Sequence, residues 1–324
     1  MRTWRIHELG EPIDNLLLED VQRPEPGPGE VLLDVSAVGL AFPDVLQCRG
    51  QYQFKPPLPF TPGGETAGTV SAVGEGVTGF EPGQLVVGMG GGLAEQVAIS
   101  ADRLFFVPAS LPAAKAAAIP LNYCTTWYAL HHRAQLAAGE TLLVTGAAGG
   151  TGSAAIQLGL AAGATVIAVA GGPEKAAACA ELGAHFVIDH REVEDLVERV
   201  RELTDGQGVD VAYDPVGGEM FQQVRRCMGW NGRLLVIGFV GGIPDLTMNH
   251  VLLKNYSVVG VHWGASVGRD PSSVGRQMAS LMALAEEGLV DPLLHPVYAF
   301  DDGSRALQDI ADRQVTGKVV VTTA

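Results

Sequence analysis

Two hydrophobic rhythms run along this chain, and one gives way to the other near residue 122. Before it, short apolar runs rich in β-branched residues, at 31–38, 68–73, 85–87 and 96–99, alternate with turn clusters such as Pro24-Glu25-Pro26-Gly27-Pro28-Gly29 and Phe80-Glu81-Pro82-Gly83. Short strands punctuated by Gly and Pro in this way predict a small barrel-like β domain. From Thr126 onward, helix-length segments alternate with short apolar runs, the pattern of parallel βαβ construction. Strands are predicted over 141–145, 165–170, 186–189, 209–214, 233–239 and 257–263, which suffice for a doubly wound parallel sheet. A helix is predicted over 272–287, where Val274, Met278, Leu281, Met282 and Ala285 share one face as core packing. Runs at 293–300 and 318–322 read as strands returning to the first domain. The expected organisation is a discontinuous β domain, residues 1–122 and 265–324, around an inserted α/β domain, residues 123–264.

Composition narrows the class of partner. With 47% hydrophobic and 18% charged residues among 324, the chain is a compact globule rather than a disordered one. The excess of 36 Asp plus Glu over 21 Lys plus Arg, a net charge of −15, repels phosphate backbones and anionic lipids, so nucleic acid is not an expected partner. Arg2, Arg5 and Glu8 near the start precede no apolar run, which does not read as a secretory signal, and a cytoplasmic location is expected. Residues 141–173 carry no charge over more than a membrane span, but glycines and polar residues break the stretch, and no membrane partner is expected. Cys48, Cys124, Cys179 and Cys227 lie far apart, so they read as reduced, buried thiols.

The run Gly146-Ala147-Ala148-Gly149-Gly150-Thr151-Gly152 follows an apolar strand and opens an Ala-rich helix over 153–162. Against the pattern G-x-G-x-x-G, its three positions are Ala147, Gly149 and Gly152. Gly149 lets the backbone approach a pyrophosphate, Gly152 lets the helix sit close on its strand, and the free N–H groups of the helix start face the anion. The competing reading is an ordinary tight turn; the strand before, the helix after and the second strand beyond favour a Rossmann dinucleotide site. That second strand ends Val169-Ala170-Gly171-Gly172-Pro173, with no carboxylate for the ribose hydroxyls of NAD and none to repel a 2′-phosphate. NADPH is therefore the expected cofactor, with Lys175, His190 and Arg191 as sources of positive charge. Glu174 is the residue that would serve NADH instead.

These residues, with Pro62-Gly63-Gly64-Glu65, Ala67-Gly68-Thr69-Val70, Val211-Ala212-Tyr213-Asp214-Pro215-Val216-Gly217-Gly218 and Gly232-Arg233-Leu234-Leu235-Val236-Ile237-Gly238-Phe239, resemble the medium-chain dehydrogenase/reductase superfamily. Within it the chain resembles the zinc-free quinone oxidoreductases, the zeta-crystallin-like branch. The resemblance implies a GroES-like β-barrel domain around the Rossmann domain, an active site in the cleft between them, NADPH as hydride donor and a homodimer or homotetramer, the homodimer being the expectation. Where zinc-dependent relatives present Cys and His ligands, this chain has Ala41-Phe42 and Gly64, so no zinc is expected. Cofactor contacts are implied for Ala147, Ala148, Gly149, Gly150, Thr151 and Gly152 in the loop and for Gly171, Lys175 and His190 near the ribose. They are implied also for Val216, Gly238 and Phe239, and for His262-Trp263-Gly264 beside the carboxamide. Tyr52, Thr126 and Arg313 are the implied catalytic residues, Thr126 being also an implied cofactor contact near the nicotinamide, with Leu46 and Ala41 replacing a family Tyr and Asn on the substrate side.

The expected activity is zinc-independent, NADPH-dependent reduction of quinones or other α,β-unsaturated carbonyl compounds by hydride transfer. The alternative is an enoyl-thioester reductase of acrylyl-CoA type in the same superfamily. A non-enzymatic NADPH-binding role is a further alternative. Gly264-Ala265-Ser266-Val267-Gly268 formally matches a nucleophile elbow, which would make Ser266 the centre of a serine hydrolase. Asp270-Pro271-Ser272 marks a later helix start, which weakens that match. His131 and His132 are adjacent, so on a helix they diverge by about 100° and cannot close on one metal; both are expected on a helix surface.

Overall fold

The computed structural model describes residues 1–323. By contacts the chain divides into two units: Met1–Leu121 with Met278–Glu286 and the segment from Pro292 onward, and Asn122–Gln277 with Glu287–Asp291.

In unit 1, β1 (Arg2–Ile6) and β2 (Leu16–Asp20) form an antiparallel hairpin. The larger sheet comprises β3 (Glu30–Leu40), β4 (Glu65–Val73), β5 (Leu85–Met89), β6 (Gln96–Ser100) and β7 (Leu104–Phe106). It is completed from the chain's other end by β14 (Tyr298–Ala299) and β15 (Val319–Thr322), in the order β14-β15-β3-β4-β5-β7 with β6 also on β3. The alternation of apolar residues along β3 buries Val31, Leu33 and Val35 in a core with Trp4, Ile6 and Phe300. Trp4 Nε1 donates to Phe300 O at 2.8 Å, so the two chain ends are joined by a buried hydrogen bond as well as by apolar contact. The strand expected over 293–300 shrinks to Tyr298–Ala299 and a bridge from Leu294 to Lys318, because Pro296 offers no N–H to a ladder.

Unit 2 contains β8 (Thr141–Val144), β9 (Thr165–Ala170), β10 (Phe186–Asp189), β11 (Val209–Asp214), β12 (Met228–Val236) and β13 (Ser257–Gly260). All pair in parallel in the order β10-β9-β8-β11-β12-β13, the doubly wound Rossmann arrangement. The middle strands are near-continuous apolar runs because both of their faces are covered, and Leu143, Ile167, Phe221 and Leu234 share their core. Strand order reverses between β8 and β11, and the carboxyl ends of those strands are where such sheets take a ligand.

Several predicted boundaries move. β12 starts at Met228 and stops at Val236; Gly238 and Phe239 lie in a loop, with Val240 N donating back to Pro215 O (3.3 Å). β13 stops at Gly260, after which His262 precedes an unpredicted short helix, Trp263–Val267. Residues 265–277, expected with the β domain, group with unit 2, where Trp263 Nε1 donates to Gln277 Oε1 at 2.9 Å. The glycine loop's helix begins three residues earlier than predicted, at Gly150 rather than 153. No helix among the described residues is long and apolar enough to cross a membrane.

Candidate active site

The glycine loop is shaped by close backbone approach. Leaving β8, the chain turns at Gly146, whose φ of +54° lies in the left-handed region, and Gly149 N donates back to Gly146 O at 2.9 Å. Gly149 is the extended residue before the helix Gly150–Ala161. A Cβ at Gly152 would stand 2.2 Å from Gly146 O and 2.7 Å from Ala147 Cα, so only glycine lets the helix lie against the strand exit. At Gly149 the corresponding contact is 3.2 Å, to Gly146 O, a much milder crowding than at Gly152. Ala147 and Ala148 are buried, and Ala147 N is bonded to Val169 O of β9 at 3.1 Å. The backbone N–H groups of Gly150, Thr151 and Gly152 find no acceptor among the described residues. With the positive end of the helix dipole behind them, they present the donor arrangement that suits an anion.

Two further loops flank this one. Asp214, 2% exposed at the end of β11, accepts from Thr145 Oγ1 (2.6 Å), Val216 N (3.0 Å) and Gly217 N (3.2 Å) through one oxygen. It fixes the β8 exit and the β11 exit together, and a Cβ at Gly146 would meet Val216 Cγ2 at 3.2 Å. The β12 exit is laced to the same loop: Gly241 N donates to Val216 O (2.6 Å) and Gly218 N to Gly242 O (2.8 Å). Val216, Gly238 and the exposed Phe239 therefore line one edge of the sheet together with the glycine loop. His262 and Gly264 lie beyond β13, both exposed, and Trp263 between them is buried.

The exit of β9 carries the charge. A Cβ at Gly171 would meet His190 Nε2 at 2.7 Å and Arg191 Nε at 3.2 Å, and one at Gly172 would meet Arg191 Nη1 at 3.3 Å. Lys175 belongs to the same cluster: burial, then the charge of Arg191, lowers its ammonium from the ordinary lysine range. Asp189 turns inward, one oxygen accepting from Gly172 N (2.9 Å) and Arg191 N (3.0 Å), which holds its carboxyl below the usual range. No acidic residue occupies the end of β9 itself.

Thr126 and Tyr213 meet beneath the loop. Thr126 is fully buried, and its Oγ1 lies 2.8 Å from Asn122 O and 2.9 Å from Tyr213 Oη. Its hydroxyl is thus engaged inside unit 2.

Tyr52 and Arg313 belong to unit 1. Tyr52 is half-buried, and burial followed by the charge of Asp44 raises its phenol above the ordinary tyrosine value. Asp44 accepts from Ala41 N (2.7 Å) and Gly63 N (3.1 Å), tying together the segments that hold Ala41 and Gly64. Burial pushes the Asp44 carboxyl up to about 6, against those two hydrogen bonds and the charge of Lys318. Lys318 is itself paired with Glu65, and Glu65 also accepts from Leu121 N at 2.8 Å. Arg313 is exposed just past the helix Gly303–Ala311, with φ +59°.

Two sequence motifs lose their chemical reading. Ser266 sits within the helix Trp263–Val267, has no positive φ and donates to Trp263 O at 2.6 Å, none of which makes a nucleophile elbow. His131, expected on the surface, is half-buried in a π-helical segment (Tyr128–Arg133), its ring 4.2 Å from that of Trp127, and burial lowers its imidazole. Sequence reading assigned no role to Gly146, Asn122, Tyr213 or Asp214. Only Gly146, a glycine at a strand exit, carried a local signal.

Residues 27–109 match the family described as alcohol dehydrogenase GroES-like domain, and residues 150–283 the family described as zinc-binding dehydrogenase. A quinone oxidoreductase-like protein 2 homolog from Nematostella vectensis is 38% identical over 328 residues, covering 99% of this chain and 89% of that one. Among solved structures, the quinone oxidoreductase of Thermus thermophilus, described also in its complex with NADPH, aligns at TM-score 0.86 and 33% identity over 100% of both chains. The CurK enoyl reductase aligns at TM-score 0.88 and 30% identity over 100% of this chain and 99% of that one. Fold and site together define an oxidoreductase built from a GroES-like and a Rossmann domain. The chain belongs to the quinone oxidoreductase family of the medium-chain dehydrogenase/reductase superfamily.

Proposed function

We propose that this protein is an NADPH-dependent, zinc-independent reductase of quinones or other α,β-unsaturated carbonyl compounds. The observation that carries the cofactor assignment is the carboxylate-free end of β9, overhung by Arg191 and His190 with Lys175 beside them. Those groups suit a 2′-phosphate, and the unpaired N–H groups of Gly150, Thr151 and Gly152 suit a pyrophosphate. The NADPH complex of the Thermus relative supports the same reading. Bound there, NADPH supplies the hydride. The chain's own contribution is to hold the dinucleotide by backbone donors and cations and to orient an electron-poor carbon beside it. Tyr52, a phenol made less acidic by burial and by Asp44, packs against a planar substrate rather than acting as a strong acid. Water reaching the developing enolate is sufficient as proton source.

Metal independence is supported by side chains that cannot ligate: a methyl group at Ala41 and none at Gly64. Four cysteines, all buried and far apart in the sequence, suit a reducing, cytoplasmic compartment. An enoyl-thioester reductase is the second reading, favoured by the likeness to the CurK enoyl reductase. The experiment is to dialyse the protein against a strong chelator, then follow the nicotinamide absorbance with NADPH and a panel of quinones, enones and enoyl-thioesters. Quinone or enone turnover without added zinc is expected. Preference for the thioester would transfer the assignment to the second reading. Tight NADPH binding with no turnover would leave a non-enzymatic role, and dependence on zinc would defeat the proposal.

A further inference from the structure

We infer that Tyr213 is a positioning residue for the dinucleotide: through the hydroxyl of Thr126 it fixes the first turn of the helix that receives the pyrophosphate. The inference rests on the cofactor site proposed above and assigns a role to a side chain that touches no ligand.

Tyr213 lies in β11, next to β8 in the sheet, and is completely buried. Phenylalanine would fill the same space, and a phenol placed there must find a partner for its hydroxyl or leave a costly unpaired group. The partners are specific. Thr126 has one hydroxyl proton, and its near acceptor is Asn122 O at 2.8 Å, with Thr151 O more distant at 3.4 Å. The 2.9 Å contact between Thr126 and Tyr213 is therefore donated by the phenol. The protons thus run in one direction, from Tyr213 to Thr126 to Asn122 O.

The far end of this chain of hydroxyls bears on the same turn. A Cβ at Gly150 would stand 2.2 Å from Asn122 Nδ2, so the helix Pro120–Trp127 touches the loop at Gly150 as well as at Thr151. Gly150 and Thr151 are two of the three residues whose N–H groups lack protein acceptors. The direction of those backbone donors is set through the buried phenol.

The test compares Tyr213→Phe, Thr126→Val and Thr126→Ser with the wild-type chain. NADPH and, separately, NADH are titrated by nicotinamide fluorescence, with thermal melts of the cofactor-free proteins alongside. Tyr213→Phe and Thr126→Val should each raise the Kd by about fivefold to thirtyfold, the equivalent of one or two hydrogen bonds. Thr126→Ser, which keeps the hydroxyl, should stay within about twofold of wild type, and the loss should fall on KM for cofactor rather than on kcat. Pyrophosphate is common to both dinucleotides, so the factor should be the same for NADPH and NADH. A wild-type preference for NADH would overturn the cofactor assignment while leaving this test intact. Unchanged Kd values with lowered melting temperatures would reduce Tyr213 to a packing role and overturn the inference. Should Tyr213→Phe fail to fold, the Thr126→Ser and Thr126→Val pair decides: equal weakening by both contradicts it.

Discussion

Lys318 and Glu65 are the least expected residues in unit 1, each with a side chain only 3% exposed and each the other's partner. A buried ion pair adds little net stability, because desolvation cancels most of the attraction, but removing one member leaves a bare charge in the interior. Lys318→Met should therefore lower unfolding stability by about 3–5 kcal/mol in a urea titration; a loss under about 1 kcal/mol would contradict the pairing. Neither residue announces itself in the sequence. Glu65 ends a Gly-Gly-Glu triplet and Lys318 follows Gly317, and only the fold brings together residues 253 positions apart. Thr126 and Tyr213, 87 positions apart, were illegible as a pair for the same reason. Gly171, His190 and Arg191, by contrast, lie near one another in the sequence at neighbouring strand ends, so their proximity could be read from the chain.

At the scale of the element, the two inner glycines of the loop divide fold from function. Gly152→Ala pushes a methyl group into Gly146 O and should displace the helix, destabilising the chain by about 1–3 kcal/mol and weakening cofactor binding with it. Gly149→Ala meets only Gly146 O, at 3.2 Å, and should lose clearly less stability than Gly152→Ala while still binding NADPH less tightly. Thermal melts beside NADPH titrations check both, and identical behaviour of the two variants would contradict the division. Elsewhere Glu140, ahead of β8, accepts from both Nη1 (2.8 Å) and Nη2 (2.7 Å) of Arg233 in β12, and this holds its carboxyl below the usual range. A depressed folded-state value means that the pair's contribution is present above the unfolded value of 4.5 and is lost as pH falls through the folded one. Glu140→Gln should cost about 1 kcal/mol at pH 7 and nothing once the carboxyl is protonated; a cost that persists after protonation would contradict this origin. β9, found at its predicted bounds, is buried along nearly all its length and reads as an almost unbroken apolar run. The β1–β2 hairpin was missed because Arg2, Arg5, Glu19 and Asp20 dilute its apolar pattern.

For the whole molecule, the property still to be measured is how many copies assemble. β13 ends the unit 2 sheet with Val258 38% exposed, and the helix Met248–Lys254 exposes Met248 (69%), Leu252 (78%) and Leu253 (70%). An apolar edge of this kind is a hazard unless covered, and twofold pairing of two such edges would cover it. Light scattering at micromolar concentration should report twice the 33.9 kDa chain mass, and a monomer would contradict the expectation. Domain order was legible because each unit has its own hydrophobic period. Boundaries near 264 were not, since Gln277 is tied to Trp263 by a buried hydrogen bond that no periodicity encodes.

Cofactor choice turns on whether the cluster of Arg191, His190 and Lys175 reads a 2′-phosphate. The direct measurement is the initial rate of quinone reduction with NADPH and with NADH at equal, subsaturating concentrations, repeated for Arg191→Ala. One or more charge-assisted bonds to the phosphate predict a rate with NADPH about tenfold to a hundredfold higher, a preference that Arg191→Ala should largely erase without changing the rate with NADH. An equal or faster wild-type rate with NADH would contradict the central claim.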